Sequence, residues 1–206
     1  MSYFPMFIEL KDMRCLVVGG GAVALRKAEA LSEFGAKLTV IAPAVLPELR
    51  ARLGAACQER EFQIEDLLDQ ELVVAATDDA ALNHRIGVCC KEAGIPVNAV
   101  DQIEDCSFLF PAYRKEGEVV AAFVSGGQSP VVSQYLKAQI GEALTPLLGE
   151  LAAFLGSLRE TLRKTVATEQ ERKRIYQKLL AAGLEKGAPL SEEEAWQIVN
   201  GEADGR

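Results

Sequence analysis

The sequence predicts an α/β protein with a parallel sheet in its first half and helices alone in its last third. The apolar run Leu16–Val18 stops at three consecutive glycines, and a helical pattern begins at once. A second apolar run, Lys37–Ile41, follows that helix, which completes the βαβ unit of a parallel sheet. After Thr145 only helical patterns follow, and these predict the all-α region.

The composition is that of an ordinary globular chain and argues against two classes of partner. Its 206 residues are enough for one or two domains. A formal net charge of −8, without a basic face or tail, argues against a nucleic-acid or anionic-membrane binder. An anionic small ligand held by a few local basic side chains stays open.

The cysteines and the single histidine argue against a metal site. Five cysteines without a Cys-x-x-Cys spacing are typical of reduced, buried thiols in the cytosol, and His84 is the one histidine. The early Glu9, Lys11 and Asp12 are unlike a signal peptide, and no window approaches the roughly 18 apolar residues of a membrane span. We therefore expect a cytoplasmic protein without a metal centre.

The glycine-rich turn after the first strand predicts a dinucleotide site. It has the pattern Gly19-x-Gly21-x-x-Ala24, in which the first glycine permits the turn and the second lets the backbone approach a diphosphate. The small Ala24 lets the helix pack on the strand, and the free N–H groups at the helix start face the phosphates. The alternative is a turn with a structural role only.

The end of the second strand departs from the common dinucleotide pattern. An acidic residue that would bind the ribose hydroxyl is missing there, and Pro43 and Ala44 take its place. No arginine follows immediately that would favour the 2′-phosphate of NADP either. This position therefore does not decide between NAD and NADP.

The other elements are predicted from periodicity and turn residues. An apolar start, Met1–Leu10, is expected to form a short edge strand because it contains Pro5. Further strands are predicted at Gln58–Phe62, Glu71–Ala76, Ile95–Val100 and Glu118–Val124, and a polar turn at Tyr113–Gly117. Helices are predicted at Pro47–Leu53, Ala80–Ala93, Pro130–Ala143, from Pro146 along one apolar stripe to Val166, and after the capping box of Ser191 and Glu194.

Polar residues follow two of the predicted strands, at the edge of a parallel sheet where ligands bind. Thr77 and Asp78 follow the strand Glu71–Ala76, and Asp101 follows Ile95–Val100. A carboxylate at that edge is well placed to accept a proton. The alternatives are that Asp78 or Asp79 caps the next helix and that Asp101 is a solvated turn residue.

A second glycine turn precedes the helix that begins at Pro130. Its sequence is Ser125-Gly126-Gly127-Gln128-Ser129, and it is either an anion-binding turn or a simple connector. The backbone around Gly126 and Gly127, with Arg114 and Lys115, is our candidate set for binding an anionic substrate.

Four segments together resemble the siroheme synthase family, and more closely its precorrin-2 dehydrogenase module, which occurs alone or as the N-terminal part of larger siroheme synthases. They are Gly19–Ala24, Ala75–Asp79, Asn98–Asp101 and Ser125–Pro130, in the same order and covering essentially the whole chain. The resemblance implies a Rossmann-like, doubly wound NAD-binding domain at 1–113, a small dimerisation segment at 114–146 and a C-terminal helical domain at 147–206. It further implies a homodimer.

The resemblance also implies an activity and the residues behind it. The family oxidises precorrin-2 to sirohydrochlorin in siroheme biosynthesis, with NAD as hydride acceptor, and some members also insert ferrous iron. Asp101 matches an aspartate implicated in both steps. Ala22, Val23, Pro43 and Ala44 match its cofactor contacts, and Ser125 matches a serine that lines the substrate cleft and is phosphorylated in some members. Since the family commonly lacks the acidic residue, NAD is the expected cofactor.

Three alternatives remain at this stage. The chain is expected to be a dehydrogenase only, with the bifunctional dehydrogenase and ferrochelatase as the alternative. A short-chain dehydrogenase is disfavoured because Tyr113, Tyr135 and Tyr176 lack a lysine four residues later. A non-catalytic NAD-sensing module would share the glycine turn but would not need Asp101.

Overall fold

The chain divides into two compact units. This computed structural model describes residues 3–203, with side chains through residue 201. The units are Met1–Phe110 and Pro111–Arg206. The finer division of the second unit at residue 146 stays a prediction.

The first unit is built on a five-stranded parallel sheet. Its strands are β1 (Arg14–Val18), β2 (Lys37–Ala42), β3 (Cys57–Glu59), β4 (Leu72–Ala75) and β5 (Val97–Ala99). Their spatial order is β3-β2-β1-β4-β5, and every neighbouring pair is parallel. The strand order reverses direction at β1, which is the arrangement of a doubly wound sheet, and the predicted fold class is confirmed.

Helices cover both faces of this sheet, which explains why the strands are apolar on both sides. The helices of the unit are α1 (Ala22–Glu33), α2 (Pro47–Leu53) and α3 (Ala80–Glu92). Cys15 and Val17 of β1 pack in one cluster with Ala24 and Leu49, from α1 and α2. The alternate β1 residues, Leu16 and Val18, pack in a second cluster with residues of α3.

The second unit combines a β-hairpin with helices. Strands β6 (Ala112–Glu116) and β7 (Val119–Phe123) pair antiparallel, and α4 (Pro130–Ala143) packs on them. The remaining helices are α5 (Pro146–Ser157), α6 (Arg159–Thr165), α7 (Glu169–Lys186) and α8 (Glu192–Ala203). Their core includes Leu162, Ile175 and Leu179.

The start of the chain and the segment after Ala112 differ from the sequence prediction. Residues 1 and 2 of the predicted strand Met1–Leu10 lie outside the described residues, and 3–10 form no strand. Most apolar side chains there are exposed, and Phe4 is 87% exposed, whereas Leu10 packs on the buried cluster under α1. The predicted polar turn Tyr113–Gly117 was also wrong, because Tyr113 and the three residues after it belong to strand β6.

Two further boundaries differ. The third strand is Cys57–Glu59 rather than Gln58–Phe62, and the side chain of Arg60, which follows it, forms an ion pair with Asp66 at 2.6 Å. The apolar stripe to Val166 is not one helix: α5 ends before Leu158 and α6 begins after it. The Ser157 hydroxyl donates to the carbonyl oxygen of Phe154 at 2.6 Å, where the first helix ends.

Candidate functional site

The carboxyl ends of β1, β4 and β5 form the candidate cofactor edge of the first unit. The glycine turn follows β1, Thr77 lies two residues beyond the end of β4, and Asp101 lies two residues beyond the end of β5. Because parallel strands end on the same side, the sheet brings these segments to one edge. Here β1 and β4 are neighbours whose helices α1 and α3 cover opposite faces.

The glycine turn is held tightly against its two neighbouring loops. Gly19 has φ +130°, and a Cβ there would lie 2.2 Å from the carbonyl oxygen of Ala76. At Gly20 a Cβ would lie 1.9 Å from the carbonyl oxygen of Ala44. Gly20 was an unspecified position in our sequence pattern; the run of three glycines was the available signal.

Gly21 is different, because the space beside it is open. A Cβ there would meet nothing within 4 Å, and the residue adopts φ −86°, which any residue tolerates. Gly21 is also the N-cap of α1, without a side-chain cap and without an acidic residue in the first helical turn. The N–H groups of the first turn therefore lack a side-chain acceptor, and an open cradle lies beside them. These features fit a dinucleotide diphosphate.

Pro43 and Ala44 lie at the other side of this turn. Both are exposed and follow directly after β2. The loop is fixed to the glycine turn because the N–H of Leu46 donates to the carbonyl oxygen of Gly20 at 2.9 Å. Ala22 is exposed and Val23 half-buried, while Ala24 is buried against the sheet as predicted.

Thr77 is anchored by a buried asparagine that the sequence analysis missed. The Thr77 hydroxyl donates to Oδ1 of Asn83 at 2.7 Å, and Nδ2 of Asn83 donates to the Thr77 carbonyl oxygen at 3.0 Å. Asn83 is 4% exposed. Asp79 is the residue that caps α3, since its Oδ1 accepts from the N–H groups of Ala81 and Leu82. Asp78 is exposed beside this cap.

Asp101 occupies a turn with an uncommon backbone conformation. Its φ is +61°, in the left-handed region that aspartate and asparagine tolerate better than most residues. The side chain is exposed. The next residue, Gln102, donates from Nε2 to the Ala80 carbonyl oxygen at 2.8 Å, while its Oε1 is buried without a hydrogen-bond partner among the described residues.

The segment after Asp101 is held back against β5 and α3. Nδ1 of His84 lies 2.8 Å from Oδ2 of Asp105, whose residue is 5% exposed. Asn98 donates from Nδ2 to the Phe108 carbonyl oxygen at 3.1 Å, and the N–H of Val97 donates to Oγ of Ser107 at 2.8 Å. This return path carries Phe110 to the face that α1 covers.

Lys27 lies on α1 above that aromatic ring. Its Nζ is 3.8 Å from the centroid of the Phe110 ring. The pKa of Lys27 is lowered to about 8, first by burial and then by the charge of Arg26, while Cys106 and Asp101 act in the opposite direction. Burial raises the pKa of the Cys106 thiol. No sequence pattern points to Lys27, because the Phe110 ring that it contacts lies more than 70 residues away along the chain.

The second unit contains the other candidate residues. The Ser125 hydroxyl donates to the Ser129 carbonyl oxygen at 2.7 Å and accepts from the Ser129 N–H at 3.0 Å, so it closes the glycine turn. Gly126 and Gly127 have φ +61° and +78°, in the region that favours glycine.

Arg114 and Lys115 lie next to each other on β6, so the structure places them on a strand of the hairpin. Nη2 of Arg114 pairs with Oε1 of Glu116 at 2.7 Å, and the buried Nε of Arg114 has no hydrogen-bond partner among the described residues.

The residues that the structure describes form neither a metal cluster nor a membrane-spanning helix. No group of three or more histidine, cysteine, aspartate or glutamate side chains is assembled within 3–201 in an arrangement that could hold a metal ion. Among the helices described here, none is both long and apolar enough to cross a bilayer.

Comparisons with known proteins agree with this geometry. A family model described as "Putative NAD(P)-binding" matches residues 6–112. The siroheme synthases of Thioalkalivibrio sulfidiphilus and Nitrosospira multiformis are 39% and 38% identical to the chain over 183 and 187 residues, which is 87% of this chain. The matches cover 37% and 40% of those proteins, so the chain spans about two fifths of their length.

A solved structure supports the fold over nearly the whole chain. SirC, named as a precorrin-2 dehydrogenase, superposes with a TM-score of 0.70 at 22% identity, covering 98% of this chain and 100% of SirC. At this identity the likeness concerns the fold.

Proposed function

The chain belongs to this NAD(P)-binding family, and on that premise we propose that it is an NAD-dependent precorrin-2 dehydrogenase of siroheme biosynthesis. The observation that carries the proposal is Asp101, which lies at the same sheet edge as the glycine turn and the open α1 terminus. The siroheme synthase names of its relatives support the substrate. The reaction removes a hydride and a proton from precorrin-2 and yields sirohydrochlorin, NADH and a proton.

In this proposal most of the candidate residues of the first unit bind NAD, and Asp101 accepts the proton. Bound NAD supplies the hydride acceptor. The N–H groups after Gly21 bind its diphosphate, and Gly19, Gly20 and Ala24 keep the turn close enough to do so. Pro43, Ala44, Ala22 and Val23 line the loops beside it, and Thr77 and Asp78 form the opposite side. The exposed carboxylate of Asp101 accepts the proton.

NAD rather than NADP is our proposal for the cofactor. The resemblance to the siroheme synthase family supports it, because that family commonly lacks an acidic residue after the second strand, as this chain does at Pro43 and Ala44. Initial rates with the two cofactors at matched concentrations test this, and a higher kcat/KM with NADP would contradict it.

We further propose that the second unit binds the carboxylates of the tetrapyrrole. Precorrin-2 carries eight carboxylates, whereas the chain has a net charge of −8, so binding relies on local donors. The candidates are the N–H groups of Gly126 and Gly127, the Ser125 hydroxyl, Lys115 and Arg114, whose buried Nε lacks an acceptor.

A homodimer is proposed from the exposed apolar face of α4. Val131 is 75% exposed, and the other large apolar side chains of this face are exposed as well: Val132, Tyr135 and Leu136. Only Ser133 of this 14-residue helix is buried in the described chain. An apolar face of this extent is typical of a protein interface, and the segment 114–146 contains both this helix and the hairpin on which it packs.

Anaerobic oxidation of precorrin-2 tests the activity. Precorrin-2 is generated in situ, NAD is added, and the tetrapyrrole spectrum is followed for wild type, Asp101→Asn and Asp101→Ala. Asparagine tolerates the left-handed conformation of residue 101, so Asp101→Asn removes the base without straining the turn. We expect a loss of roughly 100-fold or more in kcat with unchanged NAD binding.

The outcomes separate the alternatives. No oxidation by wild type that still binds NAD would support a sensing module. An equally active Asp101→Asn would retain the enzyme and remove Asp101 as its base. Addition of ferrous iron to sirohydrochlorin, followed by its absorption spectrum, tests the bifunctional alternative in the same preparation.

A further inference from the structure

The ammonium group of Lys27 is positioned by helix α1 and by the ring of Phe110. Lys27 is half-buried on α1, the helix that begins at the glycine turn. The ammonium lies 3.8 Å from the centroid of the Phe110 ring, which limits where the side chain can point. Phe110 in turn packs against the buried cluster under α1.

Lys27 differs from the other lysines and arginines of the first unit: five of them pair with carboxylates, and the other four, Lys11, Arg26, Arg85 and Lys91, are exposed. It forms no ion pair with a carboxylate of the residues that the structure describes, and its contact is an aromatic face. The five pairs are Arg14 with Glu71, Lys37 with Asp12, Arg50 with Glu59, Arg52 with Glu29, and Arg60 with Asp66. A half-buried charge without such a partner is costly and indicates a ligand anion.

Lys27 contacts the chain segment that begins at Asp101, because Phe110 belongs to that segment. Its charge interacts with Asp101 and with Cys106 on the segment that follows β5, and with Arg26 on α1. These are the titratable groups that act on it. Asp101 is the proposed base, so an anion bound by Lys27 belongs to a molecule that is close to the proton transfer.

We propose that Lys27 binds a carboxylate of the tetrapyrrole and so orients the substrate next to Asp101. The inference rests on the proposed function. The chemistry it needs is a carboxylate or a phosphate, and the cofactor offers the latter. We assign the carboxylate, because Lys27 lies one and a half helical turns beyond the N–H groups that fit the diphosphate and interacts with Asp101.

Equilibrium binding of sirohydrochlorin tests this without turnover. The full-length protein is titrated with sirohydrochlorin under anaerobic conditions at pH 7 and its absorption is followed. Lys27→Met removes the charge and keeps a flexible apolar side chain against Phe110. We expect it to weaken binding by about tenfold or more, the effect of losing one charge-assisted contact. Arg26→Met, which removes a cation from an exposed neighbouring position, is the matched control and should bind as wild type does.

The pH dependence adds a second readout. Binding of sirohydrochlorin to wild type should weaken as the pH rises through about 8, where free Lys27 loses its proton. Lys27→Arg keeps its charge at every accessible pH. It should therefore bind about as well as wild type at pH 7 and retain binding at pH 9, whereas Lys27→Met should bind weakly at both.

Several results would overturn the proposal. If Lys27→Met and Arg26→Met weaken sirohydrochlorin binding equally, the loss reflects the change in net charge and not a specific contact of Lys27. Weaker binding of NAD with unchanged sirohydrochlorin would assign Lys27 to the cofactor. A lower free energy of unfolding for Lys27→Met, with binding lost in Lys27→Arg as well, would make its role structural. If wild type binds sirohydrochlorin but oxidises no precorrin-2, the dehydrogenase proposal fails while the Lys27 contact is still measured.

Discussion

At the scale of the residue, two adjacent glycines in the candidate cofactor turn have different reasons for lacking a side chain. The space that a Cβ would occupy at Gly20 is taken by the Ala44 carbonyl oxygen, at 1.9 Å. At Gly21 the same space is open. One glycine is thus required by the fold, and the other by the ligand that we propose.

Alanine substitutions at Gly20 and Gly21 should have different effects, the first on stability and the second on NAD binding. Gly20→Ala forces two loops apart and should lower the free energy of unfolding by about 3 kcal/mol or more. Gly21→Ala should leave the thermal midpoint within a few degrees of wild type while weakening NAD binding by at least about tenfold, because a methyl group fills the cradle. Urea unfolding and NAD titration of both variants measure the difference.

A Gly21→Ala protein that binds NAD as well as wild type would contradict this assignment of the diphosphate. So would a Gly20→Ala protein of unchanged stability, since it would mean that the Ala44 loop moves freely.

At the scale of the element, the parallel sheet was predictable and the hairpin was not. Leu16–Val18 and the neighbouring strand β4 are buried on both faces, so their sequences are continuously apolar and easily identified. Strand β6 is half-buried along its length and contains Arg114, Lys115 and Glu116 in succession, which is also the composition of a turn. Its strand conformation depends on pairing with β7.

In the candidate site, too, the residues that depend on tertiary contacts could not be predicted from the sequence. The glycine pattern and Asp101 could be predicted because each follows a strand directly. Asn83, Gln102 and Lys27 could not, because their partners Thr77, Ala80 and Phe110 are brought to them by the fold. A lysine beside alanines on a helix is indistinguishable by sequence from one on a solvated face.

The capping box at the start of α8 stabilises the fold to an extent that depends on pH. Oε2 of Glu194 accepts from Nζ of Lys186 and from the N–H of Ser191, each at 2.6 Å. The Lys186 hydrogen bond first, and then that of Ser191, lowers the pKa of Glu194 from 4.5 to about 2. Because the folded pKa lies below the unfolded one, the stabilisation is fully present above about pH 4.5 and is lost as the pH falls towards 2.

Glu194→Gln should therefore lower the thermal midpoint at pH 7, and the gap to wild type should close as the pH falls from 4.5 to 2. Glu193→Gln removes the same charge from the same exposed turn and serves as the control, with a smaller effect at pH 7. A gap for Glu194→Gln that is unchanged at pH 3 would show that the carboxylate is not what stabilises the helix start.

At the scale of the whole molecule, a substitution on the apolar face of α4 tests whether the protein is the homodimer that we propose. Val131→Glu puts a charge at the most exposed apolar position of that helix and should shift the molar mass measured by light scattering from twice 22.3 kDa to that of a single chain. Gln134→Glu adds the same charge at an exposed polar position of α4 and should remain dimeric.

Two results would contradict the assignment of α4 to the interface. One is a wild type of 22.3 kDa at micromolar concentration. The other is a dimer that survives Val131→Glu.

The close fit of Gly19 and Gly20 against Ala76 and Ala44 also bears on how fast the cofactor is captured. Three loop ends are fixed to one another before any ligand arrives, so little ordering entropy is left to lose on binding. We expect NAD to associate in a single second-order step, with an observed rate that rises linearly with its concentration and no slow phase of loop closure.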